Sequence, residues 1–183
     1  MPFWKKIAGA HRSSDATSAA EVKEFFFPRP GRAFFCRMAV VAAAAFIVFK
    51  FLLIPCVIDG ESMMPTYPRK GFTFCWKLRY LFDKPAYGDI VVIKYSGNTY
   101  FLKRVVGLPG DEICFRNGTL YRNGKAVKEP YVHFISYWST RPTVVKPGYC
   151  YVVGDNRSQA LSVHLFGKVR MSRIAGSPLF RIF

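Results

Sequence analysis

The longest apolar stretch of the chain runs from Met38 to Ile58 and is interrupted by a single charged residue, Lys50. About twenty apolar residues, each adding 1.5 Å of helix rise, are enough to cross the hydrocarbon core of a bilayer. Lys50 then lies near one end, where its long side chain can reach the interface. We therefore predict one transmembrane helix over 38–58. A cleaved signal sequence is the alternative, but the stretch starts far from the first residue and no small-residue cleavage site precedes the motifs described below.

Beyond this stretch the pattern changes to short segments rich in β-branched and aromatic residues, which are typical of β-strands. We predict strands at 72–76, 90–95, 101–106 and 150–153. Two Asn-Gly pairs, at 117–118 and 123–124, predict tight hairpin turns. Since no segment here has a long helical period, the predicted fold class is mostly β. We expect a domain of short antiparallel strands that follows a single N-terminal transmembrane helix.

Charge predicts which side of the membrane each part occupies. Residues 1–37 contain seven basic and three acidic residues, and basic flanks of a transmembrane helix stay in the cytoplasm. Long domains cross the membrane largely regardless of their charge. The expected organisation is therefore a cytoplasmic tail over 1–37, a transmembrane helix over 38–58 and an extracytoplasmic β domain over 59–183.

The chain has 27 basic and 11 acidic residues, a net charge of +16. Such an excess suits either a nucleic acid or an anionic membrane surface. Because the basic residues are spread along the chain and form no single stripe, we expect a lipid bilayer with anionic headgroups as the partner, and no nucleic acid.

The five cysteines form no C-x-x-C pair and have no histidine at metal-ligand spacing, so we expect no metal and no other cofactor. Cys75, Cys114 and Cys150 allow two interpretations. They are buried hydrophobic residues, which we favour, or two of them form one disulfide in an oxidising compartment.

Lys103 lies in the strand segment Tyr100-Phe101-Leu102-Lys103-Arg104-Val105-Val106. A lysine among large apolar side chains loses solvation, which disfavours its charged form and lowers its pKa. Lysine can act as a base near neutral pH only when its pKa is lowered in this way. Such a base needs a nucleophile, and Ser62, in the segment Gly60-Glu61-Ser62-Met63-Met64-Pro65-Thr66, is the candidate.

Four blocks follow one another in the sequence: the Ser62 segment, Gly88-Asp89-Ile90-Val91-Val92, the Lys103 strand continued through Gly107-Leu108-Pro109-Gly110-Asp111, and Gly154-Asp155-Asn156-Arg157. With these blocks, which cover most of residues 58–169, the chain resembles the type I signal peptidases, a family of serine–lysine membrane proteases. The resemblance implies an amino-terminal anchor, an external catalytic domain, Ser62 as the nucleophile and Lys103 as the general base.

The resemblance also implies a substrate, the signal-peptide-bearing precursor of an exported protein, cleaved after a small residue. Its main chain can add as a strand beside the catalytic strands. The positions that match the family's substrate-binding residues are Ile58, Gly60, Met63, Phe101 and Leu102. The implied location is the bacterial inner (cell) membrane, and the mitochondrial inner membrane is the alternative.

The last block departs from the family pattern. There, Gly-Asp-Asn-Arg is followed by a serine that orients the lysine and then by Asp-Ser-Arg. Aligned without gaps, the serine, aspartate and arginine correspond to Ala160, Ser162 and His164 in this chain. Either Ser158 or Ser162 takes over the support of Lys103, or the lysine is poorly held and activity is low. The expected supporting residues are Arg104, Asp155, Asn156, Ser158 and Ser162, with Arg104 and Asp155 as an ion pair.

The sequence thus predicts a membrane-anchored serine endopeptidase that removes signal peptides. Two alternatives stay open. One is a specialised relative that matures a single dedicated exported substrate. The other is a catalytically inactive, membrane-tethered protein that binds peptides.

Overall fold

The structure, a computed structural model, describes residues 31–97, 99–161 and 167–179. The chain divides into two units, 1–47 and 48–183. In the first unit, helix α1 (Arg32–Ile47) has no buried side chain. Together with the π-helical turn Val48–Leu52 it makes a helical segment of 21 residues with a mean hydropathy of 2.1. This segment is long and apolar enough to cross a membrane.

The bounds of the helical segment differ from the predicted 38–58. The segment begins at Arg32 and ends at Leu52, and the next seven residues form strand β1 (Leu53–Asp59). The last part of the apolar run is therefore strand, because β-branched residues such as Val57 favour extended backbone. Pro55 cannot continue a helix and is tolerated in β1, which lies at the edge of its sheet.

The second unit is built from short strands, which confirms the predicted mostly β fold class. After β1 the elements are β2 (Lys70–Trp76), the one-turn helix α2 (Arg79–Phe82), β3 (Ile90–Ser96), β4 (Thr99–Gly107), β5 (Glu112–Arg116), β6 (Thr119–Arg122), β7 (Lys125–Ala126), β8 (Thr143–Val144), β9 (Tyr149–Val153), β10 (Gly167–Arg170), a 3-10 turn (Met171–Arg173) and β11 (Ile174–Pro178). The four predicted strands lie within β2, β3, β4 and β9.

The strands form two antiparallel sheets. The larger has seven strands in the order β1-β2-β11-β3-β4-β9-β10, and the smaller has four in the order β7-β6-β5-β8. β11 inserts between β2 and β3, where Ser177 pairs with Trp76 and Ile174 pairs with Ile93. The last described strand of the chain thus joins two strands that are consecutive in sequence.

One half of β4 has an open edge. β4 pairs with β3 from Thr99 to Arg104, but its pairing with β9 begins only at Arg104. On that second side, no strand of the described part of the chain pairs with the segment 99–102, which leads into Lys103.

The two predicted Asn-Gly turns are confirmed. Asn117 and Gly118 join β5 to β6 with φ of 48° and 83°, and Asn123 and Gly124 join β6 to β7 with φ of 52° and 76°. Two successive positive φ angles are required by the type I′ turn, and asparagine followed by glycine adopts them at the lowest cost.

The core consists of three apolar clusters. The cluster that supports the site packs Cys56, Ile58, Met63, Tyr67, Cys75, Val92 and Leu102 together. The others lie around Phe115 and Trp138, and around Val91 and Val152. Cys75, Cys114 and Cys150 are buried free thiols, so the interpretation as buried hydrophobic residues is confirmed.

Candidate active site

Ser62 lies in the tight turn that follows β1, and the turn is held from both sides. The N–H of Met64 donates to the carbonyl of Glu61 at 3.0 Å, and the N–H of Tyr67 donates to the carbonyl of Met63 at 2.9 Å. The carbonyl of Ser62 itself accepts the N–H of Asn156 at 3.0 Å. The serine is therefore fixed by the main chain of the segment that follows β9.

Gly154 allows this close approach. A Cβ atom built on Gly154 would lie 2.3 Å from the carbonyl oxygen of Ser62 and 3.3 Å from its Cβ. No side chain fits there without displacing the serine. The glycine of the fourth block thus has a packing role at Ser62.

Lys103 is buried inside β4 with 1% of its surface exposed, and its Nζ lies 2.5 Å from the Oγ of Ser62. Burial lowers the pKa of the amine from 10.5 to about 7, although the negative charge of Asp155 partly opposes this change. Near neutral pH a large share of the amine is then uncharged and can accept a proton. The structure brings the two predicted catalytic residues into hydrogen-bond contact.

Asp155 is completely buried and ties three parts of the site together. Its carboxylate accepts two hydrogen bonds from the Arg104 guanidinium, one from Nε at 2.8 Å and one from Nη2 at 2.6 Å. It also accepts the hydroxyl of Thr66, at 2.5 Å, from the turn that holds Ser62. The expected Arg104–Asp155 ion pair is present, and it links β4, the serine turn and the fourth block.

Asn156 and Ser158 contact each other. The side-chain oxygen of Asn156 accepts the N–H of Ser158 at 3.0 Å and the Ser158 hydroxyl at 2.7 Å. Ser158 and Ala160 are exposed. The Ser158 hydroxyl thus bonds Asn156, which leaves Ser162 as the other serine predicted to support Lys103; Ser162 and His164 lie outside the described residues.

A buried ion pair that the sequence analysis missed holds the fourth block from behind. Arg157 is 2% exposed and its guanidinium contacts the Glu129 carboxylate at 2.7 and 3.3 Å. The Arg157 guanidinium also lies over the rings of Phe115 and Trp138. The Glu129 carboxylate accepts the hydroxyl of Tyr131, whose ring lies 3.9 Å beneath the Arg104 guanidinium.

No local signal in the sequence points to Glu129. The chain has 11 acidic residues against 27 basic ones, so a buried arginine has few possible carboxylate partners, but this does not single out Glu129. Glu129 and Arg157 are far apart in the sequence, which gives no indication that they pair. Among the described residues, no group of three or more His, Cys, Asp or Glu side chains could hold a metal ion.

A groove of about 260 Å³ leads to the Ser62 hydroxyl. It is lined by Val57, Ile58, Asp59, Gly60, Ser62, Met63, Thr99, Tyr100, Phe101 and Leu102. All five predicted substrate-binding residues are in this set. Ile58, Met63 and Leu102 are also buried members of one core cluster, so they support the floor of the groove as well as lining it.

The groove has a strand on each side. β1 is the last strand of the large sheet and β4 lies four strands away, yet both line the same cavity. The sheet therefore curls until its edge strand faces the open edge of β4. The geometry offers main-chain partners to an extended peptide on both sides.

A family model for "Signal peptidase, peptidase S26" matches residues 32–183. The chain belongs to this signal peptidase family. It is 35% identical over 161 residues to signal peptidase I of Bacillus caldolyticus, which covers 80% of this chain and 86% of that protein. It is 32% identical over 158 residues to the chloroplastic thylakoidal processing peptidase 1 of Arabidopsis thaliana, covering 79% of this chain and 46% of that protein.

Among solved structures, the crystal structure of a signal peptidase I from Enterococcus faecalis V583 aligns with a TM-score of 0.44 at 26% identity. The alignment covers 52% of this chain and 97% of that chain. Membership of the signal peptidase family makes the protein an enzyme of a serine peptidase family, as the sequence motifs predicted.

Proposed function

We propose that the protein is a membrane-anchored endopeptidase that removes signal peptides from exported preproteins, with Ser62 as the nucleophile and Lys103 as the general base. The observation that carries the proposal is the 2.5 Å contact between the buried Lys103 amine and the Ser62 hydroxyl. Family membership supports the reaction, because the relatives that match over most of the chain are named signal peptidases.

The chemistry follows from the protonation state of Lys103. The neutral amine takes the proton of the Ser62 hydroxyl while Oγ attacks the scissile carbonyl, and this gives a tetrahedral intermediate and an ammonium group. The ammonium then donates its proton to the leaving amine as the carbon–nitrogen bond breaks, which leaves an acyl ester on Ser62. Water, deprotonated by Lys103, hydrolyses this ester and restores the serine.

The oxyanion of the intermediate needs preorganised donors. The main-chain N–H of Ser62 is the donor we propose, since it belongs to the turn that is fixed on both sides. Gly60 supplies no hydroxyl, and its N–H already donates to the carbonyl of Arg69 at 2.8 Å.

The groove accounts for a preference for small residues. An extended peptide entering between β1 and the open edge of β4 can pair with both strands, and main-chain bonds of this kind give affinity without sequence specificity. Ile58, Met63 and Leu102 fill the floor with large apolar side chains. Shallow pockets of this kind accept alanine-sized side chains next to the cleaved bond, and the neighbouring Gly60 and Phe101 line the same path.

The helical segment Arg32–Leu52 is the proposed anchor, because its length and apolar composition suit a single crossing. With residues 1–37 on the cytoplasmic side, the β domain from residue 59 onward meets preproteins as they emerge. The bacterial relatives favour the cell membrane over the mitochondrial inner membrane. The retained dyad favours an active enzyme over an inactive peptide-binding protein.

Cleavage of a model preprotein by the purified full chain in detergent tests the proposal. Ser62→Ala and Lys103→Ala should each abolish cleavage. The matched controls Ser96→Ala and Lys94→Ala change exposed residues of β3 and should leave the rate unchanged. Cleavage that survives in either dyad variant would contradict the assignment of that residue, and an inactive wild-type protein would contradict the enzymatic proposal as a whole.

A further inference from the structure

A second cavity, of about 320 Å³, lies beside the groove and is rich in basic and aromatic side chains. We call it the basic cavity; the side chains used below are Tyr95, Phe101, Tyr149, Lys168, Arg170 and Arg173. Neither the proposed reaction nor the family comparison assigns it a role.

No carboxylate of the described residues compensates the charge of the basic cavity. Three cations, Lys168, Arg170 and Arg173, line it without a carboxylate. Within the described ranges none of the three forms an ion pair, and the sequence contains no acidic residue after Asp155. Like charges that converge on one cavity repel each other, so an anion that enters it gains from all three.

The two guanidinium groups are oriented by polar contacts. Arg173 donates from Nε to the carbonyl of Lys94 at 3.2 Å and from Nη2 to the carbonyl of Tyr95 at 2.6 Å. Arg170 donates from Nε to the hydroxyl of Tyr149 at 2.9 Å. Nη1 of Arg173 and both Nη atoms of Arg170 donate to no acceptor among the described residues. Guanidinium groups held in this way match the oxygens of a phosphate group.

Aromatic rings form the wall towards the groove. The rings of Tyr95 and Phe101 pack edge to face at 5.1 Å, and Phe101 lines both the basic cavity and the groove. Tyr95 is 52% exposed. Aromatic side chains with one apolar and one polar end are enriched at the headgroup level of membranes.

The position along the groove suggests where such a phosphate comes from. Val57 and Thr99 both line the groove; Val57 precedes Ser62 along the chain, and Thr99 begins the strand that carries Lys103. From Val57, β1 leads back four residues to Leu53, directly after the proposed anchor, a path of about 13 Å at 3.3 Å per residue. A headgroup beside Leu53 would therefore be at most about 13 Å from Val57 in the groove, and Phe101 is shared by the groove and the basic cavity.

We propose that the basic cavity binds the phosphate of an anionic phospholipid headgroup, with Arg170 and Arg173 on the phosphate oxygens and Tyr95 and Phe101 against the apolar part. The proposal rests on the proposed membrane anchor. A bound headgroup would hold the entrance of the groove at the membrane surface, where a signal peptide leaves the bilayer.

The test uses the full chain in a neutral detergent, titrated with a short-chain phosphatidylglycerol, a short-chain phosphatidylcholine or inorganic phosphate, with binding measured by calorimetry. We expect saturable binding of the phosphatidylglycerol. Arg170→Gln/Arg173→Gln should weaken it about tenfold or more, since charge-assisted hydrogen bonds are lost. The control Arg116→Gln/Arg141→Gln removes two exposed arginines from the region of the small sheet and should bind as the wild type does.

Three results would overturn the proposal: no saturable binding of phosphatidylglycerol, equal affinity for inorganic phosphate, or the same loss in the control variant. Preprotein cleavage in neutral detergent should be retained by both double variants and shows that they are folded. Extraction of the wild-type chain from membranes by alkaline carbonate would refute the anchor itself. That result is independent of the phosphate titration, so the two failures can be told apart.

Discussion

Lys103, the proposed general base, should destabilise the folded protein. The pKa of its amine is 10.5 in an unfolded chain and about 7 in the folded protein, because the folded protein buries it. A difference of this size corresponds to about 5 kcal/mol, since each unit of pKa is about 1.4 kcal/mol. At pH values below about 7 the folded protein must either bury a charge or release a proton, and the full cost applies.

The cost should fall as the pH rises. Between about pH 7 and 10.5 the unfolded chain binds more protons at this lysine than the folded chain does, so raising the pH favours folding. The cost is about 4 kcal/mol at pH 7 and about 2 kcal/mol at pH 9 by the same relation. It vanishes once both states are neutral.

Lys103→Met tests this reasoning, because methionine has a similar length and no charge. The variant should lose cleavage. At pH 7 its free energy of unfolding should exceed that of the wild type by the cost given above, less about 1 kcal/mol for the lost hydrogen bond to Ser62, so it should unfold at a higher urea concentration. The measurement is urea unfolding of the full chain in detergent at pH 7, 8 and 9, followed by circular dichroism. The difference in free energy of unfolding between the variant and the wild type should decrease by about 2 kcal/mol from pH 7 to pH 9.

If the difference in free energy of unfolding stayed constant from pH 7 to 9, the reasoning would be refuted, because Lys103 would then titrate alike in the folded and the unfolded protein. A variant less stable than the wild type at pH 7 would show that the amine is better solvated than its burial implies. Lys94→Met, on the exposed face of β3, controls for the loss of a lysine in general.

Three further predictions concern the pH dependence of cleavage, the packing of Gly154 against Ser62 and the stability that the Glu129–Arg157 ion pair provides. The wild-type kcat/KM should rise from pH 6 to 8 with a midpoint of about 7, the pKa of Lys103. Lys103→Arg, which cannot deprotonate, should lose about a thousandfold or more at every pH, whereas Lys94→Arg should behave as the wild type; a flat wild-type profile would contradict the base assignment. Gly154→Ala should lower kcat/KM on the order of 100-fold, because its Cβ would displace Ser62. The control Gly97→Ala has open space for its Cβ, and although its φ of 52° strains the backbone, this strain lies away from Ser62 and activity should be retained; equal rates in the two variants would contradict the packing argument. Glu129→Gln should cost about 3–5 kcal/mol in urea unfolding because it leaves Arg157 buried without its partner, whereas Glu61→Gln, in an exposed pair with Arg69, should cost about 1 kcal/mol or less; similar losses would show that the buried pair is not special.

Much of the fold was predictable because its signals are local. The predicted strands at 72–76, 90–95, 101–106 and 150–153 and both Asn-Gly turns depend on short-range composition and backbone preference. The end of the helical segment was not predictable from hydropathy, since Leu53–Asp59 is nearly as apolar as the helix before it. The insertion of β11 between β2 and β3 joins residues far apart in sequence, and no local pattern records such a pairing.

The candidate site divides in the same way. Ser62 and Lys103 were found because their surrounding motifs are specific, and the structure brings their side chains together. The pairing of Glu129 with Arg157 was missed because both residues look like ordinary surface charges in sequence. Burial makes them important, and burial is a property of the packed sheets rather than of either segment.

The open edge of β4 also bears on solubility. An unpaired strand edge is a template on which other chains can add, and proteins usually protect such edges. Here the edge faces β1 across a groove of about 260 Å³, so a strand that enters is enclosed on both sides. A second incoming strand finds no free edge on the first. The enzyme can therefore expose main-chain donors and acceptors to every preprotein it meets without starting the growth of an intermolecular sheet.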